Sequence, residues 1–435
     1  MPARDRGNVP SMKQTATAFA LLFALLVALL LPARPAIASD ASLDVAVGDP
    51  ARKDKYAPLV LDGITDTRTS EVITPAVLVK RLEGTSLLFV GEEHTSVEFH
   101  AVQLRILQEL VRSGRKVLLG LEMYPYPEQR FLDDWGAGRY TEEGFLDLSR
   151  WYKNWGYNWN YYRDIFVLAR DRKVPIFALN VPREVVSAVR KKGFEGLTEE
   201  EARYVPKKID FDSAEHKKLF RSFFDDEKDS MHGQMTDAQW DGMFQAQCTW
   251  DAVMGHNAVE ALKKRGGLGA IMVVLIGQGH VAYDLGAARQ AAIGFDGKIA
   301  SVIPVPVLTD KREPTKVRAS YASFIWGIPR EDDAPYPSLG LSTREGKEKP
   351  GLAVIDVQKK SVAEACGVAL GDELAAFDGA SVPDKESLAR FMAGKRWGDE
   401  VRLSVKRGGE EKALVCNLRR TSEEPERAEP KPKRP

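Results

Sequence analysis

Four residues have types and placements that could do chemistry: Glu92, His94, Glu122 and His280. Each stands at or just beyond the end of an apolar run. Residues 86–91 lead into Glu92, Glu93 and His94, residues 116–121 into Glu122, and residues 270–277 into Gly279 and His280. In an open parallel sheet the crevice beyond the carboxyl ends of the strands gathers side chains from loops far apart in the chain. Two carboxylates and two imidazoles meeting there could hold a divalent cation with an open water position, or divide the roles of general base and general acid. Glu92 and His94, two residues apart at a strand exit, project to the same side.

Such a site needs a βα framework, and the periodicity supplies one. Residues 85–90 are β-rich, and residues 100–111 carry Val102, Ile106, Leu107, Leu110 and Val111 near helical spacing. Residues 116–121 and 174–179 read as further buried strands, the latter ending at Asn180, Val181 and Pro182. Residues 183–265 read as a long helical insertion, with a polar loop over 225–234 that holds His232. The sheet resumes at 270–276, followed by a crossover helix over 281–292 and a last strand over 299–307. The expected fold is α/β, a mostly parallel central sheet flanked by helices, over residues 70–308. A lead-in at 39–69 precedes it. A Pro- and charge-rich linker (309–335), a second small domain (336–420) and a charged, Pro-rich tail (421–435) that cannot bury enough surface to fold complete the chain.

Composition narrows the function. Hydrophobic residues make up 44% and charged residues 29%, ordinary globular usage. Lys plus Arg and Asp plus Glu number 62 each, and no nucleic-acid-binding motif is present, so nucleic acid is excluded as a partner. No Gly-x-Ser-x-Gly elbow or phosphate loop occurs. Arg4, Arg6 and Lys13 precede an apolar stretch at 16–31, then Pro32, Pro35 and the small-residue site Ala36-Ile37-Ala38. This predicts a secretory signal peptide cleaved after Ala38, and a periplasmic or otherwise extracytoplasmic protein. Cys248, Cys366 and Cys416 are odd in number and lack a C-x-x-C, which excludes a disulfide framework; they read as buried free thiols, with a pairing of Cys366 and Cys416 in one small domain as the alternative.

Residues 336–420 resemble a bacterial-type PDZ domain. The resemblance rests on Ser338-Leu339-Gly340-Leu341, the strand 352–357, residues 361–368 ending in Cys366-Gly367-Val368, Gly371-Asp372-Glu373-Leu374, Phe377-Asp378-Gly379 and the helix 385–392. It implies a β-barrel-like domain with a groove in which an extended peptide adds a strand while the N–H groups of Leu339, Gly340 and Leu341 take its terminal carboxylate. A protein partner with a free carboxyl terminus is the implied ligand.

Residues 70–308 resemble the ChaN-like haem-binding uptake family of the Tiki superfamily. The motifs are Gly91-Glu92-Glu93-His94, His100, Gly120-Leu121-Glu122-Met123, Pro127-Glu128-Gln129, Ala178-Leu179-Asn180-Val181-Pro182, Asp251-x-x-Met254 and Gly277-Gln278-Gly279-His280. The resemblance implies a parallel-sheet α/β fold, haem or iron uptake, and kinship to metal-dependent Tiki proteases and erythromycin esterases. It places Glu92, His94, Glu122 and His280 at the superfamily's shared carboxylate and histidine positions, and implies tyrosine ligation of haem. Haem also needs an apolar, aromatic-walled pocket. The segment 151–162, with Tyr157, Tyr161 and Tyr162, offers such walls, and His100 and Met254 are further candidate cofactor contacts. His216 reads as a surface helix residue, while Gln247 and Asp251 share one helix face that could approach the pocket.

Three functions fit these residues. The first is an exported haem- or iron-binding protein, with a homodimer in prospect, whose PDZ module tethers it to a partner. The second is an extracytoplasmic metal-dependent hydrolase using Glu92, His94, Glu122 and His280 as metal ligands and catalytic groups. The third is a binding scaffold without chemistry.

Overall fold

A computed structural model of the protein describes residues 40–224, 235–308, 315–331, 334–346 and 351–420. The signal-peptide residues, His232 and the tail 421–435 lie outside the described residues. The chain divides into an α/β unit, which ends at Tyr336 but also takes in Ala389–Lys395, and a β-rich unit formed by the rest of the chain from Pro337 on. Among the described residues no helix is long and apolar enough to cross a membrane.

The α/β unit is built on eight strands: β1 Ile64–Asp66, β2 Glu71–Ile73, β3 Thr85–Glu92, β4 Val117–Pro125, β5 Ile176–Asn180, β6 Ile271–Gly277, β7 Lys298–Val307 and β8 Phe324–Pro329. They lie in the order β2-β1-β8-β7-β3-β6-β4-β5. The six strands from β8 to β5 run parallel, and only β1 and β2 are antiparallel to their neighbours. Strand β6 is buried at every residue, which explains its unbroken Ile-Met-Val-Val-Leu-Ile run: a central parallel strand is covered on both faces. The alternation of β3 splits the core into two layers. Leu88 and Val90 face one layer with Phe99, Ile106 and Trp151, and Leu87 and Phe89 face the other with Met254, Val259 and Tyr283.

Five helices matter for the site. They are α1 Val97–Arg112, capped by Ser96, then α2 Arg163–Asp171, α3 Arg183–Lys192, α4 Ala214–Ser222 and α5 Asp237–Arg265. Buried residues Phe99, Val102, Gln103, Ile106, Leu107 and Leu110 place one face of α1 on the sheet. Helix α5 begins with a Thr236/Gln239 capping box and runs 29 residues along the unit.

Three expectations are corrected. The stretch read as a linker contains β8, which pairs with β7 and β1, so the sheet extends past residue 308 in one direction and into the lead-in in the other. No continuous crossover helix spans 281–292. Short turns at Gln278–His280 and Ala282–Asp284 precede a helix of only five residues, Ala287–Ala291, because Tyr283 and Asp284 adopt left-handed backbone angles. Gly286 sits among them, and a Cβ there would meet the His280 carbonyl oxygen at 2.3 Å. Finally, Cys366 and Cys416 form a disulfide, with Cα atoms 5.0 Å apart, and only Cys248 remains a free, buried thiol.

The second unit is an antiparallel sheet of β9 Leu341–Glu345, β10 Leu352–Val357, β11 Glu373–Phe377, β12 Ala380–Ser381, β13 Glu400–Arg407 and β14 Glu410–Asn417. The order is β14-β13-β11-β10-β9, with β12 on β11. Cys416 pairs with Val401 in the β13–β14 register. Strand β9 is an edge strand among the described residues, preceded by Gly340 at φ +70°.

Candidate functional site

The carboxyl ends of three adjacent strands, β3, β6 and β4, form the floor of the site. Glu92 of β3 lies opposite Gly277 of β6 in the parallel register. On the other side of β6, Glu122 of β4 accepts the Gly277 N–H at 2.6 Å. A Cβ at Gly277 would lie 3.2 Å from His94 Cε1 and 3.6 Å from Glu122 Oε2, so the bare glycine lets the imidazole and the carboxylate approach each other. The geometry thus brings all four residues to one rim of the sheet. Gly277→Ala is expected to displace the His94 ring at a cost of about 1–3 kcal/mol. An altered imidazole titration by NMR with unchanged circular dichroism is the check.

Each imidazole is oriented by a carboxylate. His94 Nδ1 lies 2.8 Å from Glu92 Oε1, and His280 Nδ1 lies 2.6 Å from Asp251 Oδ1 on α5. An ionised carboxylate only accepts, so both Nδ1 atoms donate and both Nε2 atoms are turned towards the centre of the site. His280 Nε2 is 3.5 Å from Glu122 Oε1. Burial opposes a charge on His94, but its bond to Glu92 and the charges of Glu92 and Glu122 outweigh this and raise its pKa. For His280 burial is likewise outweighed by Asp251 and Glu122.

Glu92 is the hub of the arrangement. Its side chain is fully buried, and it accepts from Tyr162 Oη at 2.8 Å and Gln103 Nε2 at 2.7 Å as well as from His94. Burial alone would raise its pKa. The charge of His100, 3.8 Å away, and the bonds from His94 and Gln103 prevail and hold it at about 2. Glu122 is spent in the same way, on Gly277 N–H and His280, while Asn180 holds the Glu122 carbonyl at 2.9 Å.

With their oxygens engaged in this way, the carboxylates fit a metal ion poorly. Among the described residues no group of three or more His, Cys, Asp or Glu side chains is disposed to hold one. Glu92, His94, Glu122 and His280, expected as metal ligands, are joined here by hydrogen bonds and ion pairs, each imidazole backed by a carboxylate.

The aromatic segment divides in two. Trp151 and Trp159 pack with Trp135, Phe145 and Phe166 in the core. Trp155 and Tyr157 are half-buried at the site, with ring centroids 4.7 and 5.0 Å from that of His94. The three tyrosines differ sharply. Tyr162 is fully buried and its hydroxyl donates to Glu92; Tyr161 is buried between His100 and Tyr336, and its hydroxyl takes the Tyr336 backbone N–H. Tyr157 alone of the three has its ring beside His94 and no hydroxyl hydrogen bond among the described residues. Burial and the charges of Glu122 and Glu92 raise its pKa, and the Arg183 guanidinium acts in the opposite sense.

Two other expected cofactor contacts are set aside by their surroundings. His100 is buried, with Nδ1 against Gln103 and Nε2 against the His94 carbonyl, and Met254 is fully buried in the core layer under β6. His216 is not on the surface. It is buried beside Asp251 Oδ2 at 3.8 Å and near Cys248 and Phe244, and burial lowers its pKa to about 4. Gln247 and Asp251 do share the face that reaches the site, both touching His280 Nδ1. The sequence reading missed the partners Gln103 and Trp250, whose signal was a polar residue within the apolar stripe of α1 and an aromatic ring between Gln247 and Asp251 on α5.

Residues 78–290 match the family described as haem-binding uptake, Tiki superfamily, ChaN, and residues 337–418 match the PDZ domain family. Among solved structures the chain is similar to ChaN of Campylobacter jejuni with cofacially bound haem. That match has 19% identity, a TM-score of 0.47, and covers 62% of this chain and 98% of ChaN. Over 19% of its length it is similar to the HtrA-type protease AlgW with a decapeptide, at 20% identity and a TM-score of 0.19, covering 29% of AlgW. A shorter similarity, 22% identical over 21% of this chain and 16% of the other, with a TM-score of 0.18, is to an aminopeptidase N family protein from Idiomarina loihiensis. No curated protein sequence matches the chain. The chain therefore carries a ChaN-like domain of the haem-binding uptake family, Tiki superfamily, followed by a PDZ domain.

Proposed function

We propose that this chain is an extracytoplasmic haem-binding protein whose PDZ domain holds a partner by its carboxyl terminus. The observation that supports the haem site best is the Tyr157 hydroxyl, unbonded among the described residues, beside His94 and Trp155 in a ChaN-like domain. Haem, when bound, would supply ferric iron, a Lewis acid that a phenolate can hold. Tyr157 is the ligand in this reading. Trp155 forms an apolar wall, His94 presents its Nε2 atom to the ligand, and Arg183 offers positive charge near the phenol. The test is a haemin titration of the chain from Ser39 onward: a saturable Soret shift supports the reading, and its absence refutes it.

Export rests on the sequence of residues 1–38 and on the Cys366–Cys416 disulfide, since disulfides persist in oxidising compartments. For the PDZ domain, the edge strand β9 and the Leu339-Gly340-Leu341 loop support strand addition by a peptide. Decapeptides with a free carboxyl terminus should bind and the same peptides amidated should not, measured by fluorescence polarisation. Gly340→Val should abolish the binding, because a Cβ there would meet Ser361 Cβ at 2.4 Å and the backbone is left-handed.

A further inference from the structure

Glu331 and Tyr336, which follow β8 in the α/β unit, both contact the surroundings of the loop that carries His94. The Glu331 carboxylate accepts from Ser96 Oγ and, at 3.2 Å, from the Val97 N–H, so it caps the first turn of α1. Ser96 in turn closes the His94 turn, donating its N–H to the Glu93 carbonyl at 3.2 Å. Tyr336 packs edge-on against Tyr161, ring centroids 4.8 Å apart at 88°. Tyr161 faces His100, whose Nε2 lies 3.4 Å from the His94 carbonyl. Glu331 and Tyr336 therefore reach His94 by two routes, one through the turn and one through His100.

We propose that Glu331 and Tyr336 are positioning residues of the His94 site, which together set the course of the loop between β3 and α1. The inference concerns the site of the haem reading, but its test needs no haem. In the ligand-free full chain, Glu331→Ala should raise hydrogen exchange at Val97, Phe99 and His100 about five- to tenfold, the effect of losing a helix cap. It should also shift the side-chain resonances of His94 in histidine-labelled protein. Tyr336→Leu should shift His94 through the second route while leaving the exchange of Val97 unchanged. Glu331→Gln, which keeps a neutral acceptor, should restore most of the wild-type exchange. Unmoved His94 resonances in both variants would overturn the proposal, even with faster exchange, because Glu331 would then be a helix cap and nothing more. A chain that binds no haemin would refute the haem reading and leave this result standing.

Discussion

Glu92→Ala is expected to be the most damaging single substitution in the α/β domain, destabilising it by about 3–5 kcal/mol, the range for removing one partner from a buried charged cluster. The substitution leaves the Tyr162 hydroxyl, the Gln103 amide and the His94 imidazole without their common buried acceptor, and takes away the carboxylate that lies 3.8 Å from His100. The pH dependence gives the sharper test. The carboxyl is held at about 2 against its ordinary 4.5, so its stabilisation is present above pH 4.5 and is lost as pH falls from there towards 2. The raised pKa of His94 acts on the other limb: its stabilisation is full below pH 6.5 and fades as pH rises through the raised value. Urea midpoints measured across pH should therefore fall on both sides of the range 4.5–6.5. In Glu92→Gln both limbs should flatten, and an unchanged acid limb would mean that Glu92 is not the group responsible.

Tyr157→Phe is expected to weaken haemin binding on the order of 100-fold, at least the upper end of what losing a mere outer-shell partner costs, and to remove the tyrosinate-to-iron charge-transfer band. Tyr162→Phe should behave differently. It removes a donor to Glu92 and so costs about 1–3 kcal/mol of stability, but it should leave the haemin spectrum intact. Iron must displace the phenol proton, and burial together with Glu122 and Glu92 raises the Tyr157 pKa. Haemin affinity should accordingly rise with pH by about tenfold per unit below that pKa. A pH-independent affinity would exclude a phenol that loses its proton on binding.

The sheet was legible because parallel strands are buried on both faces and leave continuous apolar runs, which is why Glu92, Glu122 and His280 stood out where those runs end. Strand β8 was equally apolar, Phe324-Ile325-Trp326-Gly327-Ile328, yet charged and Pro-rich flanks hid it within a linker. The broken crossover at 281–292 was not legible, since its composition suits a helix and only the tertiary fit of Tyr283, Asp284 and Gly286 bends it. The role of each tyrosine was hidden for the same reason. Tyr157, Tyr161 and Tyr162 are near neighbours in sequence, and the fold alone turns one to Glu92, one to Tyr336 and one to the His94 ring. The disulfide depends on strand register, which spacing between Cys366 and Cys416 does not encode.

The most direct measurement is a crystal structure of the haemin-loaded chain. The account predicts iron bonded to Tyr157 Oη, with the porphyrin edge against Trp155 and His94. Iron on another residue, or a site at the ends of β3, β4 and β6 that stays empty at saturating haemin, would contradict it.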